Sequence, residues 1–416
     1  MPTIYAYTSP AAGHAFPLVP GLLELQARGH DVHLRTAPAL VDVIRAAGLH
    51  NVEPVDPRVP AIEASDYLAT SPKERLTRGL ENLIRRGPFE LEQFRADVAE
   101  LRPDLVLTDI NAYGAVVGAE ESGLPWASVQ PTLLAYPDAD TPPYGLGLKP
   151  LGGPVGRARN RVLNRVIIST YTKAMLPGIN GLRAGAGLAP LDDVVQHVLR
   201  PHRLLVLTGE PLEYPRRALP ATIRHVGPQA WEPEARAPDW LLEDGDPWVL
   251  VTCSTEYQGD ERLARAAIEG LRDEGVRVAV TMADAYGADL PSAPNARVER
   301  FVPHGPVLER AAAVVCHGGM GIVQKSLAAG VPLAVVPFGR DQPEVARRVV
   351  ECGAGVQLPA KRLTPERLRH AVRGAIARRA SARAAGDALR RSGGPARFAD
   401  EAEELVGAGD RAVAVV

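Results

Sequence analysis

The feature that most constrains this 416-residue chain is an alternation of short β-prone runs with segments of helical apolar spacing, found in both halves. Runs of the first half lie at 4–8, 31–36, 105–108 and 126–129, and those of the second half at 248–253, 276–282, 297–302, 312–316 and 332–336. Alternation of this kind predicts a parallel sheet with helices on both faces. We therefore expect an α/β protein with one such sheet in each half.

A proline-dense stretch at 210–240 separates the two halves, with prolines at 211, 215, 220, 228, 233 and 238. Such a stretch between regular segments is typical of a linker. We predict an N-terminal domain over 1–209, a linker over 210–240, a second domain over 241–395, and a C-terminal helix and tail over 396–416. Because ligands of such sheets bind beyond the carboxyl ends of the strands, we expect the binding cleft between the two domains.

Composition argues against several classes of function. The formal net charge is −2, so no overall positive field favours a nucleic-acid partner. The N-terminal segment lacks the features of a signal peptide, and no apolar run reaches the roughly 18 residues that span a bilayer. The cysteines, Cys253, Cys316 and Cys352, are odd in number and widely spaced, which favours reduced thiols. We therefore expect a cytoplasmic protein without a membrane span.

A glycine-rich turn, Cys316-His-Gly-Gly-Met-Gly321, follows the apolar run 312–315 and precedes a helical segment. Glycines at a strand-to-helix turn let the backbone approach an anion closely. The helix N-terminus adds free N–H groups and the positive end of its dipole. The turn therefore predicts a diphosphate site, although an ordinary tight turn explains this segment alone about equally well.

Asp341 and Gln342 follow the next apolar run, 332–336. Since the carboxyl ends of parallel strands meet at one edge of a sheet, this pair is expected beside the glycine-rich turn. A carboxylate and an amide there suit the recognition of sugar hydroxyls. The alternative interpretation is that Asp341 is an ordinary helix N-cap.

From His317 to Gln342 the sequence closely resembles the donor signature of GT-B glycosyltransferases, and more narrowly of the antibiotic-glycosylating branch of the UDP-glycosyltransferase superfamily. The resemblance implies two Rossmann-like domains facing across a cleft, with the terminal helix packed back on the first domain. It also implies a nucleotide sugar in the second domain. The diphosphate would be held by His317, Gly318, Gly319, Met320 and Gly321, the sugar by Asp341 and Gln342, and the base by the backbone around Val302, with Thr252, Ser254 and Thr255 facing the phosphates.

Two residues depart from the family pattern. Ile322 stands where the family commonly has Ser or Thr, and Glu344 stands where it commonly has Asn. The first change removes a hydroxyl donor worth about 1 kcal/mol, for which backbone N–H groups can compensate. We interpret both departures as differences in donor preference.

A candidate catalytic base, His14, follows the first β-prone run, and Asp109 ends a later run of the same half. Both are expected at the carboxyl edge of the first sheet. A neutral imidazole can take the proton of an acceptor hydroxyl, and a carboxylate on its other nitrogen sets the tautomer. The resemblance assigns His14 as the base and Asp109 as its partner. The alternatives are a loop histidine and a helix cap.

The ranges 54–95 and 131–175 interrupt the alternation and are predicted to be irregular binding loops. Tyr113, Tyr136 and Tyr144 could line an acceptor pocket, and core packing explains them about equally well. Asp138-Ala-Asp140 mimics the Asp-x-Asp of metal-using transferases, but a solvated loop is the favoured interpretation. No set of His, Cys and carboxylate residues has metal-ligand spacing, so we expect no metal and no cofactor.

These observations predict an inverting, metal-independent glycosyltransferase that moves a sugar from a dTDP- or UDP-sugar to a small hydrophobic natural-product aglycone. The rival enzyme is a nucleotide-sugar epimerase of the same fold, which would work without an acceptor. The rival outside enzymes is a nucleotide-sugar-binding helper protein that has lost catalysis. The sequence does not determine the oligomeric state, and a homodimer is one possibility.

Overall fold

The computed structural model of the chain describes residues 1–62, 68–69, 71–255 and 258–413, which form two sheets with helices on both faces. The first sheet has the order β3-β2-β1-β4-β5-β6-β7. Its strands are β1 (Thr3–Tyr7), β2 (Asp31–Thr36), β3 (Asn51–Pro54), β4 (Leu105–Asp109), β5 (Trp126–Gln130), β6 (Arg203–Val206) and β7 (Ile223–His225). Neighbouring strands pair in parallel.

The second sheet repeats this plan with the order β10-β9-β8-β11-β12-β13, again with parallel pairs. Its strands are β8 (Trp248–Thr252), β9 (Arg277–Thr281), β10 (Ala296–Glu299), β11 (Ala311–Cys316), β12 (Leu333–Val335) and β13 (Gly355–Gln357). In each sheet the strand order reverses beside the first strand, between β1 and β4 and between β8 and β11. The predicted α/β class with two Rossmann-like sheets is confirmed.

Helices of the first half are α1 (Ala12–Ala15), α2 (Val19–Ala27), α3 (Val41–Ala46), α4 (Pro72–Leu101), α5 (Tyr113–Ser122), α6 (Gly153–Gly185) and α7 (Val194–Val198). Those of the second half are α8 (Asp239–Leu242), α9 (Glu261–Gly270), α10 (His304–Arg310), α11 (Met320–Ala328), α12 (Gln342–Glu351), α13 (Pro365–Ile376), α14 (Arg379–Arg391) and α15 (Pro395–Val413). Thr364 caps α13 as its sequence position before Pro365 suggests, because its side chain accepts from the Arg367 N–H. Among the helices of the described residues, none combines the length and hydropathy that a bilayer span requires.

Each of the two ranges predicted to be irregular loops contains part of a long helix, so that prediction was wrong for 72–95 and 153–175. Helix α4 covers most of 54–95 and continues through Pro88, while α6 covers 153–175 and continues through Pro177. Tertiary packing explains the difference: a Cβ on Gly114 of α5 would lie 2.0 Å from the Gly87 carbonyl oxygen of α4. Such close contact buries the apolar faces of both helices. Residues 131–152 remain irregular.

The described chain ends on the first domain. Phe398 of α15 is fully buried in the core cluster of the first sheet, and its ring lies against Gly21 of α2. Arg28 at the end of α2 pairs with Asp400 and Glu403 of α15, at 2.7 and 2.8 Å. Strand β7 lies inside the predicted linker 210–240 and extends the first sheet. The domain boundaries themselves stay a prediction.

The carboxyl edges of the two sheets face each other. Thr132, just beyond the end of β5, donates its hydroxyl to Asp341 Oδ2, beyond the end of β12, at 2.8 Å. Gln324 of α11 donates to the carbonyl of Leu207, which follows β6, at 2.8 Å. The carboxyl edges of the two sheets are therefore in direct contact at these two points.

Candidate active site

His14 lies on a short helix rather than in the open loop that the sequence predicts. Helix α1 has four residues, and the N–H groups of His14 and Ala15 donate to the carbonyl of Ala11. The extended Ala11 begins this turn directly beyond β1. The correction matters for function, because a helical turn fixes the direction of the imidazole more firmly than a loop does.

The imidazole of His14 is paired with Asp109. Its Nδ1 lies 2.7 Å from Asp109 Oδ2, and the carboxylate is fully buried whereas 24 % of the histidine side chain is exposed. The other carboxylate oxygen accepts the backbone N–H of Asn111 at 2.8 Å. The N-cap position of α5 is taken by Ala112, so Asp109 is not that helix's cap. The structure thus brings together the two residues predicted as a dyad.

Asn111 is a further residue of this cluster that was not predicted from the sequence. Its Nδ2 lies 3.2 Å from His14 Nε2. Because Nδ1 donates to a carboxylate, Nε2 carries the lone pair and can accept from the Asn111 amide. The sequence signal that could have indicated Asn111 is its position as a polar residue two places after Asp109, which ends β4. The nitrogen that would act as a base is therefore directed away from Asp109.

The glycine-rich turn joins β11 to α11. Gly318 has a φ of +102°, which an L side chain would adopt only under strain. Gly319 is the N-cap of α11, which spans nine residues without an acidic side chain in its first turn. A Cβ on Gly321 would meet nothing within 4 Å. Space beside Gly321, in the first turn of α11, is therefore free of described protein atoms, and a helix N-terminus favours an anion.

His317 is buried beside this turn, and burial lowers the pKa of its imidazole to about 4. Its Nδ1 lies 3.9 Å from Oδ2 of Asp260, a buried carboxylate that was not predicted from the sequence. Asp260 does not cap its own helix α9 but accepts the Ser254 N–H at 2.6 Å. Thr252 ends β8 and is buried, while Thr255 is exposed. The Asp260 carboxylate thus contacts both Ser254, just beyond β8, and His317.

Asp341 occupies the N-cap position of α12, yet its side chain makes no capping hydrogen bond. Its Oδ2 instead accepts from Thr132 at 2.8 Å and from Tyr144 at 3.4 Å. Gln342 uses its amide oxygen on the N–H groups of Phe338 and Gly339, and its amide nitrogen on Gln258. Asp341 therefore faces the first domain, whereas Gln342 orders the loop that carries Asp341.

The remaining predicted residues have varied surroundings. Ile322 packs in the core of the second domain, as does Val302. Tyr113 is buried and stacks on His197 with ring centroids 5.2 Å apart, and Tyr136 packs beside β6, so both make core contacts. Tyr144 faces Asp341 and packs against the core of the second domain. The structure therefore brings only Tyr144 of the three to the donor side of the cleft.

The Asp138-x-Asp140 motif does not form a cluster of metal ligands. Asp138 accepts the backbone N–H of Asp140, and Asp140 lies 3.5 Å from Arg217. Within the described ranges, no group of three or more His, Cys, Asp or Glu side chains is arranged to hold a metal ion. Both aspartates lie in an irregular segment, as predicted, but they are half-buried and not fully solvated.

Comparisons with known proteins agree with this geometry. Residues 268–405 match the family described as erythromycin biosynthesis protein CIII-like, C-terminal domain. The chain is 32 % identical over 384 residues to 4'-demethylrebeccamycin synthase of Lentzea aerocolonigenes, covering 89 % of this chain and 90 % of that protein. The chain belongs to the antibiotic-glycosylating branch of the GT-B glycosyltransferases.

Two further relatives support this membership. Demethyllactenocin mycarosyltransferase of Streptomyces fradiae is 27 % identical over 423 residues, covering 98 % of this chain and 87 % of that protein. The solved structure of the glycotransferase of kitacinnamycin superposes with a TM-score of 0.77 at 25 % identity, covering 97 % and 99 % of the two chains. The protein is a glycosyltransferase of antibiotic biosynthesis, as the resemblance of its donor signature implies.

Proposed function

We propose that this glycosyltransferase moves a sugar from a dTDP- or UDP-sugar to a hydrophobic natural-product aglycone, by a single displacement with inversion and without a metal ion. The observation that carries the proposal is the meeting of the two carboxyl edges. One edge holds the His14–Asp109 pair, the other holds the N-terminus of α11, and the 2.8 Å contact of Thr132 with Asp341 joins them.

Solved neighbours of the same fold suggest the ligand classes. VinC, with a TM-score of 0.68 at 22 % identity, was solved in complex with dTDP. The spinosyn rhamnosyltransferase SpnG, with a TM-score of 0.71 at 20 % identity, was solved with the spinosyn aglycone. In this chain a cavity of about 490 Å³ is lined by Glu232, Pro303 and Pro306, and Pro303 directly follows Val302, the residue predicted to contact the base. A nucleotide in the second domain and an aglycone against the first are the arrangement we propose.

The proposed reaction assigns one step to each edge. The acceptor's nucleophilic atom attacks the anomeric carbon and gives its proton to Nε2 of His14, while Asp109 stabilises the imidazolium that forms. The bond between the anomeric carbon and the diphosphate oxygen breaks, and the oxygen keeps the electron pair. Its charge is met by backbone N–H groups at the start of α11 and by His317. Attack from the face opposite the leaving group inverts the anomeric centre.

Transfer assays test this proposal. The enzyme is incubated with dTDP- and UDP-sugars and a panel of polycyclic and macrocyclic aglycones, with and without EDTA, and the anomeric configuration of the product is read by NMR. We expect an inverted product at an EDTA-insensitive rate. Retention of configuration, or a strict need for Mg²⁺ or Mn²⁺, contradicts the mechanism. Incubation with donor alone separates transfer from the rival epimerase activity.

A further inference from the structure

The irregular segment 131–152 of the first domain, the acceptor loop, is held along one side of α12. The backbone N–H of Gly147 donates to Glu344 Oε2 at 3.1 Å, and its carbonyl accepts from Arg347 Nε at 3.1 Å. Thr132 and Tyr144 of the same loop donate to Asp341, at the start of this helix. Helix α12 and its N-cap residue Asp341 thus bond to the loop at the N–H and carbonyl of Gly147 and at the side chains of Thr132 and Tyr144.

Behind Glu344 lies a buried network of charged groups. Glu344 is fully buried, and its Oε1 accepts from Arg348 Nε at 2.8 Å. The guanidinium of Arg348 is 1 % exposed, lies over the ring of Tyr214, and donates to the Leu212 carbonyl at 2.9 Å. It also lies 3.7 Å from Glu213. Arg348 thus joins Glu344 of its own helix to Glu213, which lies in the segment 210–240 that follows the first domain.

Glu213 links this network of charged groups to the start of the acceptor loop. Its Oε1 accepts the backbone N–H of Leu134, near the start of the loop, at 2.8 Å. The loop is therefore bound near its start by Glu213 and at Gly147 by Glu344, with Arg348 between the two carboxylates. A buried carboxylate left without its partners is costly, so removing one member of this network should destabilise the contacts of the others.

The close approach of the loop to α12 also needs glycine at position 147. Gly147 has a φ of +59°, and a Cβ there would lie 2.4 Å from the Pro343 carbonyl oxygen. Gly145 in the same loop has a φ of +88°, and a Cβ there would meet nothing within 4 Å. The two glycines share the left-handed conformation and differ in whether the helix lies against them.

We propose that Glu344 and Arg348 are positioning residues that fasten the acceptor loop to helix α12 and so hold Thr132 and Tyr144 against Asp341. The acceptor loop and Asp341 would then form opposite sides of one pocket, and the attachment of the loop to α12 would set both positions. The affinities for sugar and aglycone are therefore coupled. The inference rests on the proposed function in assigning Asp341 to the donor sugar. It also gives Glu344, a departure from the family pattern, a structural role, because this carboxylate accepts from Gly147 and Arg348 together.

The test compares Glu344→Ala and Gly147→Ala with Gly145→Ala and Arg217→Ala. Gly145→Ala introduces strain without a clash, and Arg217→Ala removes an exposed partner of loop residue Asp140. For each protein, hydrogen exchange of loop peptides is measured without substrates. The KM values for nucleotide sugar and aglycone are then compared with the Kd of the nucleoside diphosphate, which lacks the sugar.

We expect loop exchange to become at least about tenfold faster in Glu344→Ala and Gly147→Ala. Both KM values should rise about fivefold or more, with the Kd of the nucleoside diphosphate within twofold of wild type. Arg217→Ala should match wild type, and Gly145→Ala should change exchange and KM less than Gly147→Ala, because it adds strain without a clash. Unchanged exchange, unchanged KM values in a folded variant, or an equal loss of nucleoside diphosphate affinity overturns the proposal. Gly147→Ala makes the same test if Glu344→Ala fails to fold. If the wild type transfers no sugar, the proposed function fails, and the exchange measurement still decides whether the loop is fastened.

Discussion

At the scale of single residues, His14 is held by both of its ring nitrogens. Its Nδ1 lies 2.7 Å from Asp109 Oδ2, and its Nε2 lies 3.2 Å from Asn111 Nδ2. The first contact sets the tautomer that leaves a lone pair on Nε2. The second places a weak amide donor where the acceptor's proton would arrive, so an acceptor hydroxyl has to replace the Asn111 amide there.

His14→Ala is expected to lower kcat by about 10² to 10⁴, the contribution typical of a positioned general base. Asp109→Asn should lower it by about 10² or more, because the favoured tautomer is lost. Steady-state kinetics give kcat, and calorimetry should show a nucleoside diphosphate Kd within about twofold of wild type. His50→Ala is the control, because His50 is exposed and directly precedes β3, at the amino edge of the first sheet and away from the carboxyl edge that holds His14. Near-normal turnover of His14→Ala would exclude it as the base.

If His317 binds the diphosphate as proposed, diphosphate binding is expected to depend on pH. Its pKa is about 4 in the free protein because it is buried, and Asp260, Asp341 and Arg340 are the charged groups that act on it or lie beside it. A bound diphosphate favours the imidazolium and raises this pKa. Above pH 4, binding should therefore take up a proton, and affinity should weaken as pH rises through the pKa of the bound state.

Calorimetry in buffers of different ionisation enthalpy measures this proton uptake. The nucleotide's own ionisation is common to wild type and His317→Gln, so the difference between them isolates the imidazole. We expect uptake in wild type between about pH 5 and 6.5, the range from above the free value to the ordinary histidine pKa, and less in the variant. Equal uptake in the two proteins would show that His317 stays neutral on the diphosphate.

At the scale of elements, α4 and α5 pack through glycines. A Cβ on Gly114 would lie 2.0 Å from a backbone oxygen of α4, whereas one on Gly79 of α4 would meet nothing within 4 Å. Gly114→Ala should lower the free energy of unfolding by about 2 kcal/mol or more, since backbone has to move. Gly79→Ala should raise it by roughly 0.5–1 kcal/mol. Denaturant unfolding followed by circular dichroism checks both, and equal effects would contradict the packing.

Features that depend on neighbouring residues could be predicted from the sequence, whereas features that depend on contacts between distant segments could not. The strands that precede the site were predicted because an apolar run is a signal that acts over a few positions. Helices α4 and α6 were missed because prolines and glycines suggested loops, whereas burial against α5 outweighs their cost. Asn111, Asp260 and the partners of Glu344 were missed because their roles depend on contacts between distant segments. The Tyr113 contacts with His197 could not be predicted for the same reason.

At the scale of the whole molecule, α15 ties the end of the described chain to the first domain. Phe398 is fully buried among residues of the first sheet and α2. Phe398→Ala should lower the free energy of unfolding by about 3–5 kcal/mol. Glu404→Ala, exposed on the same helix, should change it by less than about 0.5 kcal/mol. Thermal unfolding measures both, and an equal response of the two variants would show that this docking contributes little.

The proposed mechanism requires the carboxyl edges of the two sheets to form one reaction site. A structure of the enzyme with a nucleoside diphosphate and an aglycone bound would reveal whether they do. We expect the diphosphate at the backbone N–H groups of residues 319–321 and the acceptor's nucleophilic atom about 2.6–3.2 Å from His14 Nε2. A diphosphate bound away from α11, or an aglycone in a cavity that His14 does not reach, would contradict the mechanism.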